Sequence, residues 1–199
     1  MLEKIKVGGI TYSIELVSAE TEELQGNYGY IDYNKCKMFI NKSLHPDLKE
    51  EVLCELILLA IGSHMEVDDK VEDVISKNCA KILRMVMVDN WNFKKFKLRH
   101  KAWVRLGGSR YYIYLVDRYN KELKYGEAAG RIEFSSRRIW LPKELDQHKA
   151  LENLFHEIWH WILDFAGIKD DIDIEDTVLK YSKGFFQVFI DNDIKFHMY

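Results

Sequence analysis

Leu151-Glu-Asn-Leu-Phe155-His156-Glu157-Ile158-Trp159-His160-Trp-Ile162-Leu163 is the stretch from which the rest of the chain can be read. Leu151, Phe155, Ile158 and Ile162 recur at helical spacing in a run free of Pro and Gly, which predicts a buried helix. Positions four apart share one face of a helix, so the imidazoles of His156 and His160 come together. Glu157, beside His156, can then reach a water held in front of them. Two His ligands, a carboxylate base and an open position for water make up the pattern of a zinc hydrolase. The competing reading is a core helix that carries two exposed or hydrogen-bonded histidines, and five residues alone do not decide between them.

Context supplies a third ligand. Gly167 is a stop signal after the helix. An acidic connector, Lys169-Asp-Asp-Ile-Asp173, leads to a second periodic segment with Ile174, Val178, Phe185, Phe189 and Ile190. A short loop between antiparallel helices brings the start of the second near the end of the first, so Glu175 can complete a His-His-Glu site. Glu is common in a first helical turn for dipole reasons, and Asp173 and Asp176 compete for the role.

The chain has 199 residues, enough for one large domain or two small ones. A net charge of −3 gives no global attraction to nucleic acid or to an anionic membrane. The N-terminus, Met1-Leu-Glu-Lys-Ile-Lys, lacks the apolar core of a signal peptide, and no segment is long and charge-free enough to span a bilayer. Cys36, Cys54 and Cys79 are an odd number without close pairing, which reads as reduced thiols and a cytoplasmic location. The oligomeric state is not encoded in any of these features.

An internal repeat divides the chain. Gly8-Gly9-Ile-Thr-Tyr12-Ser-Ile14-Glu-Leu16-Val17 matches Gly107-Gly108-Ser-Arg-Tyr111-Tyr-Ile113-Tyr-Leu115-Val116, and Gly29-Tyr-Ile31 matches Gly130-Arg-Ile132. Leu53-Cys54-Glu55-Leu56-Ile57-Leu58 is set on Phe155-His156-Glu157-Ile158-Trp159-His160, and Glu72 on Glu175. The fold class is therefore α+β, with two tandem copies of a small antiparallel sheet followed by a helix pair. Pro46 and Pro142 are each placed ahead of a copy's helices. The domains are 1–95 and 96–199. In the first copy Cys54 and Leu58 stand where the second has histidines, so only the second is expected to bind metal. The first is a degenerate copy whose Cys54 and Leu58 belong to an apolar row.

The Gly-Gly hairpin, the second hairpin opening Gly130-Arg-Ile132, the His156-Glu157-Ile-Trp-His160 helix and the helix with Glu175-Asp-Thr-Val178 resemble the small zinc metallopeptidase-like proteins of bacteriophages and mobile elements related to the ImmA/IrrE family. The resemblance covers most of residues 101–192. It implies a zincin-like fold of the minimal gluzincin type in the second copy. It also implies Zn2+ as cofactor, His156, His160 and Glu175 as its ligands, Glu157 as general base, and a protein or peptide substrate. An extended peptide would add to the edge of a strand at Gly130–Phe134 or Arg137–Leu141. No residue type or spacing marks an oxyanion donor; Tyr181 and His148 are candidates, and for each a structural role is the stronger reading.

Two other classes of function compete. Residues 93–105, Phe-Lys-Lys-Phe-Lys-Leu-Arg-His-Lys-Ala-Trp-Val-Arg, interleave six Lys/Arg with aromatics, the composition of a nucleic-acid-binding surface. The acidic overall balance argues against that and for a solvated connector. The other class is a binding protein that keeps a peptidase fold without turnover.

Overall fold

The computed structural model describes residues 3–90, 98, 102–168, 173–192 and 194. Paired glycines set the first turn of each copy. Gly8 and Gly9 have φ of 57° and 85°, and Gly107 and Gly108 have 55° and 75°, which a two-residue hairpin loop requires at both positions. Strand β1 (Lys4–Val7) accordingly pairs antiparallel with β2 (Ile10–Val17), Val7 opposite Ile10. In the second copy β5 (Ala102–Leu106) pairs with β6 (Ser109–Val116), Leu106 opposite Ser109.

The sheets are mixed, not antiparallel as the sequence pattern suggested. Strands β3 (Gly29–Asp32) and β4 (Lys37–Asn41) form an antiparallel hairpin, as do β7 (Arg131–Glu133) and β8 (Arg138–Pro142). The strand order is β1-β2-β4-β3 in one sheet and β5-β6-β8-β7 in the other, with the central pairs β2–β4 and β6–β8 parallel. The cause is the connection after β2 and after β6. Each is long enough to hold a short helical segment, Glu22–Leu24 or Lys121–Gly126, anchored by a buried leucine (Leu24, Leu123). It carries the chain past the neighbouring position, so β3 and β7 land on the far edge and the next strand returns parallel.

Each sheet is followed by two helices: α1 (Pro46–His64) and α2 (Asp69–Asp89), then α3 (Gln147–Phe165) and α4 (Ile174–Asp191). Pro46 occupies the first turn of α1, where a missing N–H costs nothing. Pro142 instead ends β8, opposite Val116, and Asp146 caps α3 through the Lys149 N–H. Since α1 and α3 have equal length, Pro46 corresponds to Gln147 and His64 to Phe165. From Glu50 to Ser63 and from Leu151 to Asp164 the order of buried, half-buried and exposed residues then coincides. This register shifts the expected alignment by one residue: Cys54 and Leu58 correspond to Phe155 and Trp159, all buried in a core. The positions opposite His156, Glu157 and His160 are Glu55, Leu56 and Leu59. Burial along α2 and α4 coincides when Ile75 is set on Thr177, which places Asp73, not Glu72, opposite Glu175.

The chain divides into two compact units, Met1–Arg84 with Gly184–Tyr199, and Met85–Lys183. The end of each second helix therefore belongs to the other copy's sheet. In the first unit, Asn192 accepts from the Lys6 N–H at 2.7 Å and donates to the Lys6 carbonyl at 2.8 Å. In the second, Asn90 accepts from the Arg105 N–H at 2.8 Å and donates to the Arg105 carbonyl at 2.7 Å. Each asparagine thus satisfies both polar groups of one residue in a strand at the sheet edge. Asn192→Ala and Asn90→Ala should each lower unfolding free energy by about 1–3 kcal/mol, because two backbone groups lose partners. Urea denaturation of the two variants checks this; midpoints equal to the parent's would show the clamps to be incidental.

Candidate metal centre

Helix α3 turns Leu151, Leu154, Phe155, Ile158, Trp159 and Ile162 into the core, none more than 8% exposed. That leaves His156 and His160 half-buried on its flank, one turn apart. Their Nε2 atoms lie 3.1 Å apart, with the rings edge-on at a centroid distance of 4.8 Å. Glu175, in the first turn of α4, places Oε1 3.2 Å from His156 Nε2 and Oε2 3.4 Å from His160 Nε2. The three donor groups fall within 4.8 Å of one another, and no other such His/Cys/Asp/Glu group occurs among the described residues. The two competing acids are engaged elsewhere: Asp173 accepts from the Asp176 N–H at 3.0 Å, and Asp176 pairs with Lys180 at 2.9 Å.

Electrostatics suit ligation. Burial holds the pKa of both histidines below the ordinary value, against the pull of Glu175 upward; His156 lowers His160 further, and Lys183 lowers His156. Desolvation therefore outweighs the attached carboxylate, and both rings are neutral at pH 7 with a lone pair to offer. Glu157 is 4% exposed. Burial, with help from Glu175, pushes its carboxyl up to about 8, while a hydrogen bond from the Ile132 N–H pulls the other way.

The sheet comes close enough to reach Glu157 because residue 130 is glycine. A Cβ there would lie 2.6 Å from Glu157 Oε1 and 3.1 Å from Leu141 Cδ2, so any other residue would displace the carboxylate. Asn153, buried one turn before Glu157, donates to the Ala129 carbonyl at 2.7 Å and fixes the chain as it enters β7. Neither role is assigned by the sequence reading. The signal for Asn153 was available, as a polar residue inside an apolar helical row; the one for Gly130 needed the approach of helix to sheet.

A cleft of about 790 Å³ opens in front of these groups, lined by His156, Glu157, His160 and Glu175, by Gly130–Ile132 and by Lys183. Of the two strands considered as a peptide edge, only Gly130–Phe134 qualifies, since β7 is the edge strand and β8 lies between β6 and β7. Neither oxyanion candidate lines the cleft, in keeping with the structural reading of both residues. Tyr181 is fully buried with its ring 5.4 Å from that of Trp159, and His148 is exposed in the first turn of α3. Tyr181 falls on the core row of α4 with Val178 and Phe185, whereas the cleft row runs through Glu175, Leu179 and Lys183.

In the first unit, Glu55, Leu59 and Asp73 stand at the equivalent positions. Lys77 Nζ pairs with Asp73 at 2.6 Å and draws down the Glu55 carboxyl, which burial raises. An ammonium among carboxylates thus takes the place of a converging donor set. Most of the basic stretch 93–105 lies outside the described residues; Leu98 and β5 are its described parts.

Compared with known proteins, the chain matches no protein-family model, no curated protein and no solved structure.

The buried carboxyl gives the metal-free protein a defined pH response. With its pKa raised from 4.5 to about 8, Glu157 binds its proton more tightly in the folded chain than in the unfolded one. Its burial therefore destabilises the fold progressively as pH rises from about 4.5 to 8, and fully above that. In EDTA, Glu157→Gln should melt close to the parent at pH 4 and above it at pH 9. Parallel melting curves across that range would contradict the assignment.

Proposed function

We propose that the second unit is a zinc-dependent metallopeptidase acting on a protein or peptide substrate. The observation that carries this reading is the convergence of His156 Nε2, His160 Nε2 and the Glu175 carboxylate at a cleft, with Glu157 buried alongside. Two imidazoles and one carboxylate, with room left for a further ligand, are a donor set for catalytic zinc. When bound, zinc would supply a Lewis acid for the scissile carbonyl and bring the pKa of a water toward neutrality.

The chain's own groups do the rest. Glu157, oriented by the Ile132 N–H, takes a proton from the attacking water and passes it to the leaving amine. A nearby dication favours its ionised form, so a carboxyl at about 8 in the free chain becomes a base at neutral pH. The outer edge of β7 offers backbone groups to an extended peptide, which would lie across the cleft as an added strand. The zincin-like fold, the relation to the ImmA/IrrE-type proteins of phages and mobile elements, and a cytoplasmic location belong to the same proposal. Among the described residues, no helix is long and apolar enough to cross a membrane.

The reading predicts one zinc per chain by metal analysis of purified protein. A His156→Ala/His160→Ala variant should lose it. Glu157→Gln should keep the metal and lose peptide hydrolysis by at least about a hundredfold, the scale of a general base. Two metals per chain, metal retained by the double variant, or undiminished hydrolysis by Glu157→Gln would each refute the proposal.

A further inference from the structure

The second sheet presents its inner face to α3, where Trp161 Nε1 donates to the Tyr111 hydroxyl at 3.1 Å. The opposite face carries an array that the metal centre does not use. Trp103 on β5 and Tyr112 on β6 are directly opposite in register, 40% and 43% exposed. Tyr112 in turn faces Arg138 on β8. The Arg110 guanidinium lies over the Trp103 ring at 4.7 Å, and that of Arg138 over Tyr114 at 5.9 Å. Guanidinium groups held flat on aromatic faces keep their N–H edges available to anions.

Two features show that the fold itself does not call for this array. Arg105 and Arg110 are directly opposed across β5 and β6, an arrangement that costs stability unless an anion relieves it. Among the described residues, no ion pair joins Arg105, Arg110 or Arg138 to a carboxylate; Glu133, opposite Arg138 across β7 and β8, is bonded instead to Arg131 and Ser136. The same positions in the first unit are Lys6, Thr11 and Lys37. There Lys6 opposes a threonine and pairs with Asp191 at 3.2 Å, and Lys37 pairs with Glu15 at 2.7 Å. Where Trp103, Tyr112 and Tyr114 stand, the first unit has Lys4, Ser13 and Glu15. One copy pairs Lys6 and Lys37 with carboxylates and carries no rings at these three positions; the other concentrates unpaired arginines among aromatic rings.

We infer that this face binds single-stranded nucleic acid, the arginines taking phosphates and Trp103 and Tyr112 stacking on unpaired bases. Stacking needs base faces that a duplex hides, which selects a single strand. Phosphates and base faces are common to ribose and deoxyribose strands, so both are expected to bind this face. The whole-chain charge of −3 argues against nucleic acid only as a distant average. At physiological salt, charges beyond about 8 Å are screened, and a ligand on this face meets the arginines. The inference uses no residue of the metal centre, so it stands or falls separately from the peptidase proposal.

The test is fluorescence anisotropy of the full-length protein with a labelled twelve-nucleotide oligodeoxynucleotide of mixed sequence, titrated over a range of salt. Three arginine contacts predict that log K falls against log salt with a slope of about −2. Arg110→Ala/Arg138→Ala should weaken binding and flatten that slope. Trp103→Ala/Tyr112→Ala should weaken binding by about tenfold or more with the slope unchanged, the effect of lost stacking. Circular dichroism melts control for folding, and Arg110→Lys/Arg138→Lys retains charge if the alanine pair unfolds. The oligoribonucleotide should bind within a fewfold, and His156→Ala/His160→Ala should bind as the parent does. No binding at low salt, equal affinity for a duplex, full affinity in the aromatic variant, or a preference for phosphatidylserine vesicles that the oligonucleotide cannot displace would each overturn the inference.

Discussion

A helix that must bury one face can offer converging ligands only from its flank, and that constraint organises the second unit. On α3 the core row through Phe155, Trp159 and Ile162 fixes the rotation of the helix, and with it the direction of His156 and His160. Once the flank is fixed, only an element passing beside it can add a third donor, and the first turn of α4 does so with Glu175. Glu157 lies on the sheet side of that flank. Gly130 removes the side chain that would exclude it, and the Ile132 N–H meets it. The elements around the centre thus act less as a list of contacts than as a way of setting one helix's rotation.

The two copies show what the same scaffold does without that demand. At the Glu157 position the first unit has Leu56, packed beside Gly29 as Glu157 packs beside Gly130. At the donor positions it has Glu55, Leu59 and Asp73, with Lys77 supplying the positive charge internally. A buried carboxyl whose proton stays on until about pH 8 is costly for a fold to keep, and the first unit does not keep one there. Shared architecture with divergent polar chemistry argues that the histidines and Glu157 answer to function, not to packing.

Local features of this arrangement were legible in the sequence, and nonlocal ones were not. The Gly-Gly turns, the histidine spacing, the position of Glu175 and the repeated succession of strands and helices follow from short-range periodicity. Sheet order did not follow, because it depends on where the long connections after Val17 and Val116 deliver the next strand. The helix alignment slipped by one because Cys54-Glu55 looks like a worn copy of His156-Glu157. Burial, which decides the register, pairs Glu55 with His156 instead. Tyr181 shows the same limit of residue type: a phenol suits an oxyanion donor, but its phase on α4 points it at Trp159, the structural role that its place in the sequence already favoured. The exchange of helix ends marked by Asn90 and Asn192 leaves no trace in either copy read alone.

The central claim is that His156, His160 and Glu175 form one nitrogen- and oxygen-lined centre, and zinc-edge X-ray absorption of the reconstituted protein tests it most directly. The account predicts a first shell at about 2.0–2.2 Å made only of nitrogen and oxygen, with the outer-shell scattering of two imidazoles. A shell at about 2.3 Å from thiolate sulfur, which Cys36, Cys54 or Cys79 would have to supply, or the absence of imidazole scattering, would contradict it.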